Sequence, residues 1–258
     1  MFIPVLIAAL LPIAVIVYFI YRKDRLEREP VSMMLKGVLY GAISALCVVL
    51  LKLVGFVPVV NPDSVGSAIY CAIFEAAVPE ELLKFFFLWL LVRNNRYFNE
   101  YVDGIVYAVC IGMGFAGFEN IGYLLNNYES WAAVGVVRAI SAVPMHFFFA
   151  VIMGYYYALS KFGPFDRQRT NLCYSIVLPI AFHALYDGLL MVSDIAGGVL
   201  VLLYLVVGLY IYLAQRSKKH FNDLLARDAK VAEHDRAAAE KLKKMQPQDV
   251  EEINPEDA

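Results

Sequence analysis

Charge is scarce in this chain and unevenly spread. Asp, Glu, Lys and Arg make up 18% of the 258 residues, while 60% are hydrophobic. A soluble domain sits at about half apolar. Residues 1–214 hold long apolar runs and residues 215–258 are mostly polar. That distribution excludes an ordinary soluble domain and reads as an all-α polytopic membrane protein whose surroundings are the lipid bilayer. A net charge of −2 gives no ground for a nucleic-acid partner. The four cysteines, Cys47, Cys71, Cys110 and Cys173, all sit in apolar segments, and no two form a CxxC. A disulfide framework and a thiolate zinc site are therefore excluded, and the thiols read as small core fillers. No HExxH occurs, so the commonest metalloprotease signature is missing. The opening MFIPVLIAAL has no positive n-region, which argues against a standard secretory signal. The first cations follow the apolar run, which suits a retained first helix with its N-terminus outside.

What is present is a series of apolar runs. We read seven spans, at about 2–21, 32–53, 67–92, 103–125, 132–160, 171–192 and 195–214. Each is near or above the roughly 20 residues a helix needs to cross a bilayer. The third and fifth are long enough to require tilt or a kink. The connections alternate. Arg22, Lys23, Arg25 and Arg28 precede a cation-free loop at 54–66, and Arg93 and Arg96 precede another at 126–131. Lys161, Arg167 and Arg169 precede a third at 193–194, and Arg216, Lys218 and Lys219 open the tail. Seven helices with the N-terminus out and the C-terminus in satisfy the positive-inside rule at every loop. The organisation expected is a helical membrane domain over 1–214 and a cytoplasmic tail over 215–258. The tail is rich in helix formers to about residue 244 and reads as disordered from 246 onward.

The residues that do not belong in lipid define the candidate site. Lys36 and Lys52 lie near helix ends and can snorkel. Glu75, Glu80, Glu81, Lys84, Glu119, Arg138, His146, His183 and Asp187 are expensive in hydrocarbon and should face protein or a water-filled cavity. At about 1.5 Å per residue from the inner helix ends, Glu81 and His183 lie about 18 Å deep, His146 about 21 Å, and Glu119 and Asp187 about 24 Å. Four helices thus place polar groups in one slab. Pro79, Pro144 and Pro179 lie beside three of these groups, and each removes a helix hydrogen bond. The kinks expected there would open a cavity at this depth. The motif 112-GMGFAG-117 matches a dinucleotide fingerprint but lies within a span. Its glycines read instead as a close-packing surface beside Glu119.

Glu80 and Lys84 share a helix face at i,i+4, and Glu81 is rotated about 100° away. His183 and Asp187 share a face at the same spacing, so the acid can orient the imidazole. Such a set suits activation of water and stabilisation of an oxyanion, as in peptide hydrolysis. It equally suits a metal held by histidine and carboxylate, with Glu80, His146 and His183 as ligands to Zn2+.

The pattern EExxK at 80-EELLK-84, the block DGIVYAVCIGMGFAGFENIGYLL at 103–125, Arg138 ahead of His146, and HxxxD at 183-HALYD-187 together resemble the PrsW family of intramembrane proteases. That family is distantly similar to the CAAX-prenyl proteases. The resemblance spans most of 70–190, and the 103–125 block is its most specific part. The last motif often carries Asn where this chain has Asp187. The resemblance implies a multi-pass protease of the bacterial plasma membrane that cleaves a membrane-anchored protein, such as an anti-sigma factor, during stress signalling. It implies a catalytic set of Glu80, Glu81, Glu119, His146, His183 and Asp187, with Lys84, Asn120 and Arg138 in support. It leaves open a metal mechanism or a glutamate that activates water alone. Two readings from other classes compete: a proton- or ion-coupled transporter, since midplane carboxylates and broken helices also mark ion paths, and a non-catalytic scaffold that binds a partner's span.

Overall fold

The computed structural model describes residues 2–24, 26–196 and 199–245, and the stretch read as disordered from 246 onward lies outside the described residues. The apolar runs become helices α1 (Phe2–Lys23) and α2 (Val31–Leu53), then a rod made of α3 (Val65–Tyr70), a π-helical turn (Cys71–Ala77) and α4 (Val78–Val92). They continue as α5 (Tyr101–Asn126), α6 (Trp131–Ile140), α7 (Ala142–Phe162), α8 (Gln168–Ala196) and α9 (Val199–Met245). No strand occurs among the described residues. By length and hydropathy five helical stretches are able to cross a membrane: Phe2–Lys23, Val31–Leu53, Tyr101–Asn126, Tyr128–Phe162 and Phe165–Ile195. The expected third span is interrupted by the π-turn and carries Glu75, Glu80, Glu81 and Lys84.

Helix α5 is the axis of the bundle. Every residue from Val102 to Gly117 is buried, and α5 packs against α1, α2, α4, α6, α7 and α9. Its glycines make this possible. A Cβ on Gly114 would lie 1.9 Å from the Val38 carbonyl oxygen of α2, and one on Gly41 would lie 2.0 Å from that of Ile111. Gly104 and Gly154 bring α5 and α7 together in the same way. The GMGFAG segment is thus a packing surface, because only backbones without side chains approach so closely.

Two of the three prolines coincide with departures from α-geometry. Pro79 has no N–H for the Glu75 carbonyl, and its ring would crowd that group in a regular helix. The wide turn just before it, in which the Val78 N–H reaches back to Ile73 O, relieves that clash. Pro144 lies three residues beyond a break at Ser141 (φ −116°, ψ −79°), which divides the expected 132–160 span into α6 and α7. Helix α8 runs through Pro179 without interruption.

The polar C-terminal stretch is packed as well as helical. Helix α9 passes residue 214 without a break, and Phe221 and Leu224 join the main core with Ile20, Val106 and Val151. Asp228 accepts hydrogen bonds from the Tyr101 and Val102 amides, satisfying two of the free N–H groups at the start of α5.

Candidate active site

The rod of α3, the π-turn and α4 converges with α5, α6, α7 and α8 on one buried polar cluster. The π-turn brings Glu75 into line with this region. In a regular helix, residues five apart point about 140° from each other, but the wider turn removes much of that offset. Glu75 therefore lines the same cavity as Glu80.

Lys84 is the hub. Its Nζ donates to Glu81 Oε1 at 2.7 Å and to Glu80 Oε2 at 3.4 Å, lies 3.2 Å from His146 Nδ1, and sits over the Phe115 ring at 3.9 Å. The i,i+4 pairing with Glu80 is present, but the shorter contact is to Glu81. An ammonium only donates, so His146 Nδ1 is the acceptor and Nε2 carries the proton. That Nε2 lies 3.1 Å from Glu119 Oε2. Glu119 is held from its other side by Arg138 at 2.6 Å, and Arg138 also donates to Asn120 Oδ1 at 2.6 Å and covers the Tyr123 ring. The Asn120 amide donates to the Ala9 carbonyl, so α1 takes part in holding the arginine.

His183 is fixed by two acids. Its Nδ1 lies 2.9 Å from Glu81 Oε1 and its Nε2 lies 3.2 Å from Asp187 Oδ2 and 3.9 Å from Glu80 Oε2. Phe149 stacks on the ring at 5.0 Å. Ionised carboxylates only accept hydrogen bonds, so His183 donates from both nitrogens when both acids are charged. The six residues of the expected catalytic set and the three in support, Lys84, Asn120 and Arg138, thus lie in one connected network.

The network opens into a cavity of about 410 Å³ lined by Glu80, Glu119, Arg138, His146, His183 and Asp187, with Lys52, Glu75 and Asp194 at its rim. Glu80 lines this cavity. Glu81, 1% exposed, does not, and it is occupied by Lys84 and His183. Sequence reasoning left Lys52 as a snorkelling residue and gave Glu75 no role. Glu75 accepts a hydrogen bond from the Val60 amide, and the Cys71 thiol donates to the Val60 carbonyl. The loop between α2 and α3 is thereby tied to the π-turn beside the cavity. The charge of Glu75 marked it in the sequence, but its direction depended on a π-turn that periodicity does not reveal.

Glu80, Glu119 and His146 each offer a ligand atom within 4.8 Å of the others. Ligands on a tetrahedral zinc ion lie roughly 3.4 Å apart, given bonds of about 2.0–2.2 Å. Two carboxylates and an imidazole beside an open cavity fit such an ion by donor type, with His146 Nε2 giving up the proton it shares with Glu119 to become a ligand. The set differs from the sequence expectation of Glu80, His146 and His183 in having Glu119 in the place of His183.

No solved structure matches this chain. Curated relatives do. The chain is 31% identical over 202 residues to the protease PrsW of Clostridioides difficile, covering 77% of this chain and 84% of the relative. It is 35% identical over 182 residues to that of Geobacillus kaustophilus (70% and 77%), and 31% over 209 residues to that of Bacillus subtilis (80% and 90%). The family model described as PrsW family intramembrane metalloprotease matches residues 29–214. With the buried Glu80–Lys84–His146 and Glu81–His183 network inside a bundle of membrane-length helices, that match places the chain in the PrsW family of intramembrane proteases.

Proposed function

We propose that this peptidase cuts a membrane-anchored protein with a water molecule activated by Glu80. The observation that carries this is the placement of Glu80. It is the member of the Glu80–Glu81 pair that lines the cavity, and its Oε2 lies 3.9 Å from His183 Nε2. A general base must reach the proton it removes and must not be consumed by a structural contact. Glu81 fails the first condition, since it is fully buried and does not line the cavity, and Lys84 and His183 hold its Oε1. Glu81 and Asp187 are positioning residues: they hold His183 through Nδ1 and Nε2 at the cavity wall, and the Nε2 proton turns from Asp187 to the oxyanion that forms when water attacks. Glu80, having taken the proton from water, passes it to the departing amine.

Arg138 and His146 hold Glu119 at the opposite wall. In the alternative, metal-dependent form of the reaction Glu80 would serve as a ligand with Glu119 and His146, and Zn2+ bound there would supply an acidified water and a polarised carbonyl.

For orientation, the loops at the Lys52 end carry no Lys or Arg, whereas the opposite connections carry the cations. The positive-inside rule then puts the N-terminus and the cavity rim outside and the end of α9 inside, in a bacterial plasma membrane. An anti-sigma factor anchored by one span is the substrate class that fits this arrangement and the family. Hydrolysis is tested directly by supplying the liposome-reconstituted protein with a single-span polypeptide in heavy-oxygen water. Two fragments should appear, with the label in the new carboxyl terminus; an intact polypeptide would contradict the reading.

A further inference from the structure

The Glu80 and Glu119 carboxylates are reached from two directions. One is the polar cavity. The other is a separate space of about 250 Å³ between α2 and α5, lined by Val48, Val49, Phe115, Phe118 and Gly122, with Lys52 at one end. Glu80 and Glu119 line both.

The shape of this second space follows from the packing of α2 on α5. The helices touch backbone to backbone at Gly41 and Gly114, which closes the groove at that end. Two turns further along α5, a Cβ on Gly122 would meet nothing within 4 Å, so the groove there is open. Val49 is 43% exposed and Phe118 36%, which places both walls at the outer surface of the bundle. The groove therefore leads from the membrane-facing surface to the catalytic pair.

The two spaces differ in chemistry. The cavity carries the acids, Arg138 and both histidines among its lining, whereas the wall of the groove away from Glu80, Glu119 and its Lys52 and Asn126 end is apolar, formed by Ala45, Val48, Val49, Phe115 and Phe118. Hydrolysis also demands that the scissile peptide leave its helix, because helical carbonyls are hydrogen-bonded and shielded by the neighbouring turns. A chain crossing the site would have an apolar part on one side of the cut and a polar part on the other. We propose that the α2–α5 groove seats the unwound end of the substrate's own membrane-spanning segment, and that the polar cavity takes the chain beyond it. The assignment rests on the peptidase reading. It commits to the substrate polypeptide because the groove ends on Glu80 and Glu119, a connection that a resident lipid chain would not require.

The test is capture without turnover. Full-length Glu80→Gln protein carries a photo-crosslinking residue at Val49 and is reconstituted with a designed polypeptide. The probe has one Leu/Ala-rich span followed by a mixed-sequence hydrophilic segment. Crosslinks should form to the span next to the hydrophilic segment. Adding Gly122→Leu, which fills the open space, should cut the yield about tenfold, and Gly122→Trp at least as much. Gly66→Leu, also at a glycine with open space but on α3 away from the groove, should leave the yield unchanged. Crosslinks only to lipid, or a probe yield indifferent to Gly122→Leu, would overturn the proposal. Capture without any cleavage by wild-type protein would sink the peptidase reading and leave the groove assignment standing. Cleavage by wild-type protein without capture would do the reverse.

Discussion

His183 Nδ1 lies 2.9 Å from Glu81 Oε1, which ties α8 to α4 through the middle of the site. Because the same carboxylate also accepts from Lys84 at 2.7 Å, the glutamate that is not at the cavity organises the one that is. Glu81→Gln should preserve the fold and substrate affinity while lowering kcat about 10- to 100-fold, the usual cost of losing a partner that orients a working histidine. Steady-state cleavage, with KM and kcat separated, checks this. A rise in KM at unchanged kcat would show that Glu81 serves binding instead.

Glu119, and not His183, shares the donor cluster with Glu80 and His146. Zinc titration of metal-stripped protein should therefore show a larger loss of affinity in Glu119→Ala than in His183→Ala. On the proposed donor set the first would remove a ligand and the second a neighbour, worth about 10- to 100-fold. Equal losses, or a larger loss at His183, would restore the ligand set expected from the sequence.

The end of the bundle opposite Lys52 carries buried acids. Burial pushes the Glu29 carboxyl up to about 7, against the lowering effect of the Tyr107 hydroxyl that donates to it. Burial likewise raises Glu100 to about 7 and Asp24 to about 6. A carboxyl whose folded pKa is raised binds protons more tightly when folded. Its stabilisation is present in full below the ordinary carboxylate range and is lost as pH rises through about 6 to 7. Thermal unfolding in detergent should give a Tm that falls between pH 5 and pH 8, on the order of that range. Glu29→Gln should flatten the fall. A Tm that rises across this window would contradict the buried-acid account.

Residues beyond 214 hold the bundle together. Leu224 is fully buried in the main core and Asp228 caps α5. Leu224→Ala should cost about 2–5 kcal/mol, and Asp228→Ala about 0.5–2 kcal/mol. Denaturant or thermal unfolding measures both. Truncation after residue 214 should destabilise the protein more than either substitution, and a truncated chain as stable as the full one would show the docking to be incidental.

Apolar run length was enough to place most of the helices, because a membrane-length helix must be apolar along its whole course. It failed where backbone geometry changes within an apolar run. Nothing in 132-AAVGVVRAISAVPMH-146 distinguishes a kinked span from the break observed at Ser141. The docked part of α9 was hidden for the opposite reason: Phe221 and Leu224 are two apolar residues in a polar stretch, and their partners come from α1, α5 and α7. Within the site, charge in an apolar context pointed to Glu80, Glu119, His146 and His183, and same-helix spacing to Glu80–Lys84 and His183–Asp187. Cross-helix choices were not legible. Linear spacing does not say which of two adjacent glutamates faces α8, or that His146 meets Lys84 on one nitrogen and Glu119 on the other.

The central claim is that Glu80, facing the cavity beside His183, activates the hydrolytic water. The most direct measurement is cleavage of a membrane-anchored polypeptide by purified, reconstituted wild-type, Glu80→Gln and His183→Ala proteins of equal thermal stability. Loss of a general base or of an oxyanion donor costs about 10²- to 10⁴-fold, so each variant should fall at least a hundredfold below wild type. Wild-type rates in both would contradict the account.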